Sequence, residues 1–586
     1  MNRKIQILSI LFLGISSAAF SQIKEEKLIL NKKREPEVKK IEKKKTSVET
    51  IKNYPPEEKS QNPVQYKITD VPAVSDFKTS TIQGQDVTPK FEGSLQNNYI
   101  QFGMGNYGKI LGDANISKTL QNKIEVGADA HFLSTQGLKK DYPWDSKQSS
   151  TTLGAFVNSY GDKGKFNLNA EYGLNSYNYY GIYALQPGDV DLDQRVNQFK
   201  VNGYYDFYSN EILNDVRVKS SFLKDHFDAQ ENQVSVLANL SKHAVELGKS
   251  GINLNADLGV GLEAVKSEFA IVDKNASNFV NTSLAPKVTF RKGESYLMLG
   301  SSFSFLNSKN SNALMAEQMK NNKTYWFPQA EFQYAAAQEF KFYGGVDGGL
   351  KLNTYADLLQ QNPFIVSDQY LRPTETKYHF YAGLKGDIDE TFKYDVSAGY
   401  GKMRDIMFFK ANDLFDYTSV NRSAYNYANT FSAIYDDGNV SDIKGSLQYF
   451  PLANLLLDAE VKFTKFDLKN YEDIYNIPLF NASIGAKYTM LDQKLLLGFK
   501  GIFASDRTTN SFVLEGVGSP LVYQSTEDTH DKVGGYADLN LSAEYKVYKN
   551  FSIFAIGNNL LSSKYQTYKG YKVLGAQVLG GVKITF

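Results

Sequence analysis

From about Asn97 to its carboxyl end the chain repeats one pattern: segments of alternating apolar and polar residues, joined by connections that are short and long in turn. Leu457, Ala459, Val461 and Phe463 alternate with Asp458, Glu460, Lys462 and Thr464. Ala482, Ile484, Ala486, Tyr488 and Met490 alternate with Asn481, Ser483, Gly485, Lys487 and Thr489. Ala537, Leu539, Leu541, Ala543 and Tyr545 do the same against Asp538, Asn540, Ser542, Glu544 and Lys546. Successive side chains of a strand point to opposite faces, so each segment reads as a strand with one apolar and one polar side. A soluble sandwich would alternate in the same way. Length separates the two. These segments run to roughly ten to fourteen residues, about twice a typical globular strand and enough to cross a bilayer at a tilt. Their polar sides also carry many charges, as a water-filled lumen permits.

The short connections fall at Thr119–Asn122, Gly161–Gly164, Ser209–Asn210, Gly248–Gly251, Arg291–Glu294, Ala336–Gln338, Asp387–Asp389, Pro451–Asn454, Leu491–Gln493 and Tyr548–Asn550. Between them lie longer links, such as 403–438 and 506–534. Short turns on one side and long loops on the other is the asymmetry of outer-membrane barrels. The expectation is therefore an all-β fold over 95–586: a transmembrane antiparallel barrel of about 22 strands, with short periplasmic turns and long extracellular loops. An even count returns both barrel ends to the periplasmic rim. Beyond the first residues no apolar run approaches the roughly 18 residues of a membrane-spanning helix, so a closed barrel is the remaining way to satisfy the backbone in lipid.

The two ends of the chain carry targeting signals. Met1-Asn2-Arg3-Lys4 is basic, Ile5–Ile15 is apolar, and Ala19-Phe20-Ser21 offers small residues where a signal peptidase cuts, so 1–21 reads as a secretory signal. Residues 22–60 are rich in Lys and Glu, as in Lys39-Lys40-Ile41-Glu42-Lys43-Lys44-Lys45, and are expected to be a disordered periplasmic segment. Residues 61–94 carry a few apolar anchors, among them Val74, Phe77 and Ile82, and are expected to be extended near or inside the barrel. At the other end Val578, Val582, Ile584 and the terminal Phe586 share one face, with Leu574, Ala576 and Gly580, opposite Gln577, Gly581, Lys583 and Thr585. An amphipathic last strand ending in an aromatic residue is the kind of signal that outer-membrane insertion machinery recognises.

The segment Asn540–Phe551, then Phe554-Ala555-Ile556-Gly557-Asn558-Asn559-Leu560-Leu561, Lys564-Tyr565-Gln566 and Gly570-Tyr571, resembles the end of the barrel in TonB-dependent receptors. In that superfamily a Pro-Gly-Arg step leads into the final strand. Here the step is Val573-Leu574-Gly575-Ala576, which keeps only the Gly. By motif the resemblance covers the last part of the barrel, and beyond it rests on strand number and length. Barrels of about 22 strands are the size of plugged outer-membrane transporters. The family also has an N-terminal plug, often with a peptide that contacts TonB. The stretch before the first strand has no Arg-Gly-rich plug motif, and Tyr66–Val71 is a poor match to such a peptide. The resemblance thus implies a barrel without the canonical plug, whose wide lumen must be filled by the N-terminal segment, by inward-folded loops or by a partner.

Chemistry adds little to this picture. The net charge of +1 gives no electrostatic case for nucleic acid, and the chain has no cysteine, hence no disulfide framework. His131, His226, His243, His379 and His530 show no metal-ligand spacing, and no nucleophile motif is present, so neither an enzyme nor a cofactor is expected. Asp189, Asp191 and Asp193 resemble the start of a calcium loop. Gln194 at the sixth position and Lys200 at the twelfth break that pattern and leave only a weak cation candidate. Gly344-Gly345-Val346-Asp347-Gly348-Gly349 reads as mid-strand glycine that eases curvature or leaves room for aromatic neighbours. Tyr177-Asn178-Tyr179-Tyr180 reads as part of the interfacial aromatic girdle, with a sugar- or peptide-stacking site as the sharper alternative.

Two functions follow from these readings. The first is a plug-less, partner-dependent transport or structural subunit of an outer-membrane complex, and the missing plug favours it. The alternative is a stand-alone uptake channel closed by its own N-terminal segment and loops. Expected partners are outer-membrane lipid, the insertion machinery and other outer-membrane or periplasmic proteins. Deleting Phe586 is expected to lower the yield of folded barrel in native membranes, measured as the heat-modifiable band on a gel; unchanged yield would remove the terminal residue from the insertion signal.

Overall fold

The computed structural model describes residues 98–586, apart from 121–122, 139–143, 185–189, 209–211, 313–316, 415–422 and 518–521. The signal peptide and the segments 22–60 and 61–94 lie outside the described residues. The rest forms a 22-stranded antiparallel sheet closed on itself. The first strand, Tyr99–Gly105, pairs with Ile110–Leu120 on one side and with the last strand, Gln577–Thr585, on the other, so the ladder has no free edge. The Phe586 N–H donates to the Asn98 carbonyl at 3.1 Å, placing both ends of the barrel at one rim. The short connections read from the sequence fall between neighbouring strands at that rim, with Ser209–Asn210 and Gln121–Asn122 themselves outside the described residues. The longer connections gather at the opposite rim.

Exposure decides between sandwich and membrane barrel. In a sandwich the apolar side of each strand would be buried. Here it faces out: Ile484 is 53% exposed, Leu541 44% and Val582 40%. The polar side faces the lumen, where cross-strand pairs such as Lys583–Glu544 at 3.2 Å line the wall. A continuous exposed apolar belt is costly in water at roughly 25 cal/mol per Å² and favourable in lipid, so this is a transmembrane barrel.

The wall is uneven in height. Strands Glu317–Ala337 and Phe431–Leu452 run to 21 and 22 residues, whereas Phe551–Asn558 has 8. Consequently the link expected over 403–438 shrinks to 412–430, because both flanking strands continue past a bulge between Met403 and Ile406. The link 506–534 is largely a hairpin of its own, Arg507–Val517 with Val522–Val533.

On the lumen side one packing device recurs. Tyr381 passes over Gly345 of the neighbouring strand and donates to Glu331 on the strand beyond. Tyr343 passes over Gly383 to reach Asp395, and His379 passes over Gly399 to reach Asp442 at 2.8 Å. A Cβ at Gly383 would lie 2.4 Å from the Tyr343 ring, and one at Gly399 2.4 Å from the His379 ring. Of the run Gly344–Gly349 read from the sequence, Gly344, Gly345 and Gly348 lie against the rings of Phe332, Tyr381 and Phe327, whereas Gly349 faces open space. Gly383→Val is expected to destabilise the barrel by about 1–3 kcal/mol through overpacking, read as a lower temperature of conversion of the folded band. Gly349→Ala, where a Cβ meets nothing within 4 Å, should leave it unchanged.

Candidate functional site

The connection 352–373 is too apolar for a surface loop, with Leu358-Leu359 followed by Phe364-Ile365-Val366. It folds into the mouth of the barrel. Thr354 starts a short helix, Tyr355–Gln361, by accepting the Asp357 N–H at 3.0 Å, and Pro363 follows its end. Tyr355, Leu358, Ile365 and Leu371 are wholly buried. They share one hydrophobic cluster with Tyr179 and Ile182 from the loop 179–192, Tyr427 and Ala428 from 412–430, and Tyr568 and Tyr571 from 559–576. The Phe364 ring stacks on Tyr571 with centroids 3.5 Å apart. The Tyr568 hydroxyl donates to the Gln361 carbonyl at 3.0 Å. Val366 and Phe431 exchange backbone bonds with one another's neighbourhood: Val366 N–H to Phe431 O at 3.0 Å and Phe431 N–H to Phe364 O at 3.1 Å.

Three buried carboxylates fasten this cap to the wall, each through neutral donors. Asp225, at a strand end, accepts the Tyr355 hydroxyl at 2.8 Å, the Gln194 amide at 3.1 Å and the Ser367 hydroxyl. Glu231 accepts the Ala356 N–H at 3.0 Å, the Tyr355 N–H and the Ser267 hydroxyl at 2.7 Å, placing negative charge at the helix start. Asp368, on the loop itself, accepts the N–H groups of Asp273, Lys274 and Asn275 at 2.6, 2.9 and 3.1 Å and the Asn275 amide at 2.9 Å. Burial pushes the Asp368 carboxyl above its usual range, so its ionised form is held at a desolvation cost that these donors oppose. Burial also raises the Tyr179 and Tyr355 hydroxyls well above theirs, which keeps both as donors at physiological pH.

The residues singled out in the sequence fall elsewhere. Asp189 lies outside the described residues. Asp191 accepts the Asp193 N–H at 3.0 Å, and Asp193 lies 3.8 Å from Lys147 and 3.6 Å from Arg195. Among the described residues no group of three or more acidic or His side chains is arranged to hold a metal. Val578, Val582, Ile584 and Phe586 all point outward. The histidines pair with single acids or rings, except His379, which sits between Asp442 at 2.8 Å and Asp347 at 3.6 Å. The girdle reading of Tyr177–Tyr180 is corrected: Tyr179 is fully buried in the cap, Tyr177 donates to the Pro363 carbonyl, and Tyr180 lies against Tyr571. Exposed Trp326, Tyr334 and Tyr548 supply outward aromatics instead. The local cause is that strand Gly164–Asn178 ends at the second of the four residues, so the chain turns inward there.

No family model matches the sequence, and no curated protein matches it. Solved structures do match. The siderophore receptor PiuA from Acinetobacter baumannii aligns at a TM-score of 0.59 and 10% identity, over 84% of this chain and 82% of that one. The ferric-catecholate import receptor Fiu from E. coli K12 aligns at 0.61 and 11%, over 84% and 82%. The ferric yersiniabactin uptake receptor FyuA from Yersinia pestis aligns at 0.56 and 12%, over 85% and 81%. This chain shares the barrel fold of those structures. In it the C-terminal motif residues build the last loop. Asn559 donates to the Ser563 and Leu574 carbonyls at 3.0 and 2.9 Å, and Tyr565 stacks on Tyr536 at 3.9 Å. Gly570, at φ +85°, approaches so closely that a Cβ would lie 2.1 Å from the Gly181 carbonyl, and this delivers Tyr571 into the cap.

Tyr571→Ala removes the stack and a bond to the Asn429 carbonyl. It is expected to loosen the cap by about 3 kcal/mol, seen as faster proteolysis within 352–373 while the heat-modifiable barrel band is unchanged. Equal protease resistance would place the cap's stability elsewhere.

Proposed function

We propose that this chain is an outer-membrane transport barrel whose surface mouth is closed by its own loops and opens to admit cargo too large or too scarce for general porins. The loop rim faces the cell surface and the turn rim faces the periplasm. One observation carries the reading: the connection 352–373 is seated in the mouth and buried there against other loops, among them 179–192, 412–430 and 559–576. An open diffusion pore would have no use for such a seat. The neighbours named as siderophore and import receptors support transport as the class of activity. The self-supplied seal favours a stand-alone transporter over the partner-dependent subunit expected from the sequence, since the barrel does not need another chain to cover this rim. Lipid, the insertion machinery and other outer-membrane or periplasmic proteins remain the proposed associates.

The experiment is conductance in a planar bilayer. The full chain is expected to stay nearly silent. Replacing residues 353–371 by a short Gly-Ser linker is expected to give a large, steady pore and to sensitise cells to bulky antibiotics. If the linker variant folds, as judged by its heat-modifiable band, yet neither conducts nor sensitises, the cap is not the seal.

A further inference from the structure

The loop 352–373 is pinched at its neck. The Asn353 amide donates to the Arg372 carbonyl at 2.7 Å and to the Thr374 hydroxyl at 2.9 Å, so the two ends of the loop meet and the part between them can move as one body. Of the three carboxylates that fasten it, Asp225 and Glu231 belong to the wall, and only Asp368 travels with the loop. Its seat is the connection 269–274, where Val272 and Lys274 both have left-handed backbone at φ +52° and +51°. For a β-branched residue this conformation is rare and persists only where the surroundings hold it. Here it turns three successive N–H groups, of Asp273, Lys274 and Asn275, onto one carboxylate. Such a run of backbone donors is an anion seat, and its occupant is the chain's own Asp368.

We propose that Asp368 in this seat is the catch of the cap: the loop is released from the mouth when the carboxylate leaves its three N–H groups, and Val272 relaxes as it does so. This rests on the reading of the loop as a seal. Strain at the seat and desolvation at the carboxylate both oppose the closed state, while the four donors favour it. The contact is therefore poised between holding and letting go, unlike the apolar stack of Phe364 on Tyr571. Engagement of the catch and the backbone of 272–274 change together, so the two ends of the contact can be altered separately with opposite effects.

The test uses the absence of cysteine from the chain. Ala424→Cys, buried in the cap at 3% exposure, gives a single reporter whose maleimide labelling in isolated membranes follows opening. Adding Asp368→Ala takes the shared acceptor from the Asp273 and Asn275 N–H groups, leaving Lys274 only its bond to the Ile271 carbonyl at 3.0 Å, and is expected to speed labelling roughly ten- to a hundredfold. Adding Val272→Gly removes the strain of the closed seat and is expected to slow labelling by about tenfold. Folding of each variant is checked by its heat-modifiable band. Labelling of the Asp368→Ala variant at the parent rate, or of Val272→Gly at or above it, overturns the catch. The linker variant separates this from the parent reading: fast labelling there with no effect of Asp368→Ala sinks the catch alone, and slow labelling there sinks the seal itself.

Discussion

Inside a bilayer a backbone N–H or C=O has no water to turn to, and each one left unpaired costs several kcal/mol. The closed ladder answers that constraint, and most of the molecule follows from it. Pairing of Tyr99–Gly105 with Gln577–Thr585 removes the last free edge. Closure with both ends at one rim fixes an even strand number. It also leaves each side chain a choice of two environments only, lipid or lumen, which the alternating sequence fills. Where the wall rises above the belt the constraint relaxes, and the chain becomes irregular in ways the belt does not allow: a bulge between Met403 and Ile406, and a two-stranded hairpin, Arg507–Val533, outside the main sheet.

The cap meets the same demand in a different setting. A chain of 22 residues driven into a barrel mouth brings its own amides and carbonyls into a dry place. The connection 352–373 satisfies them by a turn of helix, by a parallel bridge to Phe431, and by carboxylates that accept its N–H groups or reach the wall's. Neutral donors around anionic acceptors make these contacts strong yet free of any need for a matching cation. The apolar side chains of these loops then pack over the polar seats, forming a small core resembling that of a soluble protein on the rim of a membrane one.

Much of the barrel was legible because its code is local. Period-two alternation through Leu457–Thr464 or Ala537–Lys546 states the strand and its face, and tight polar turns such as Gly161–Gly164 state where it reverses. The cap was less legible because its code is not local. Nothing around Tyr179 distinguishes a girdle tyrosine from a core one; the difference is the inward turn of a chain that meets Ile365, nearly two hundred residues away, through its hydroxyl. The apolar run Phe364-Ile365-Val366 within a connection was the available sign that this loop is buried. The left-handed backbone at Val272 could not have been read, since a β-branched residue is the last to suggest it. His379 looked solitary for a similar reason: its two acids lie on other strands, brought near only by register.

The rings that lie across Gly345, Gly383 and Gly399 bind three positions on three strands into one unit: a bulky donor, an empty site and an acceptor. In such a unit the fitness of one residue is set by the other two. A glycine can enlarge only after its ring has shrunk, and once the ring has gone the carboxylate loses that donor, leaving Glu331 to Tyr296 and Asp442 to Lys444. Substitutions among relatives of this barrel should therefore be epistatic in triplets along the lumen, while the lipid-facing positions between them drift independently among apolar residues.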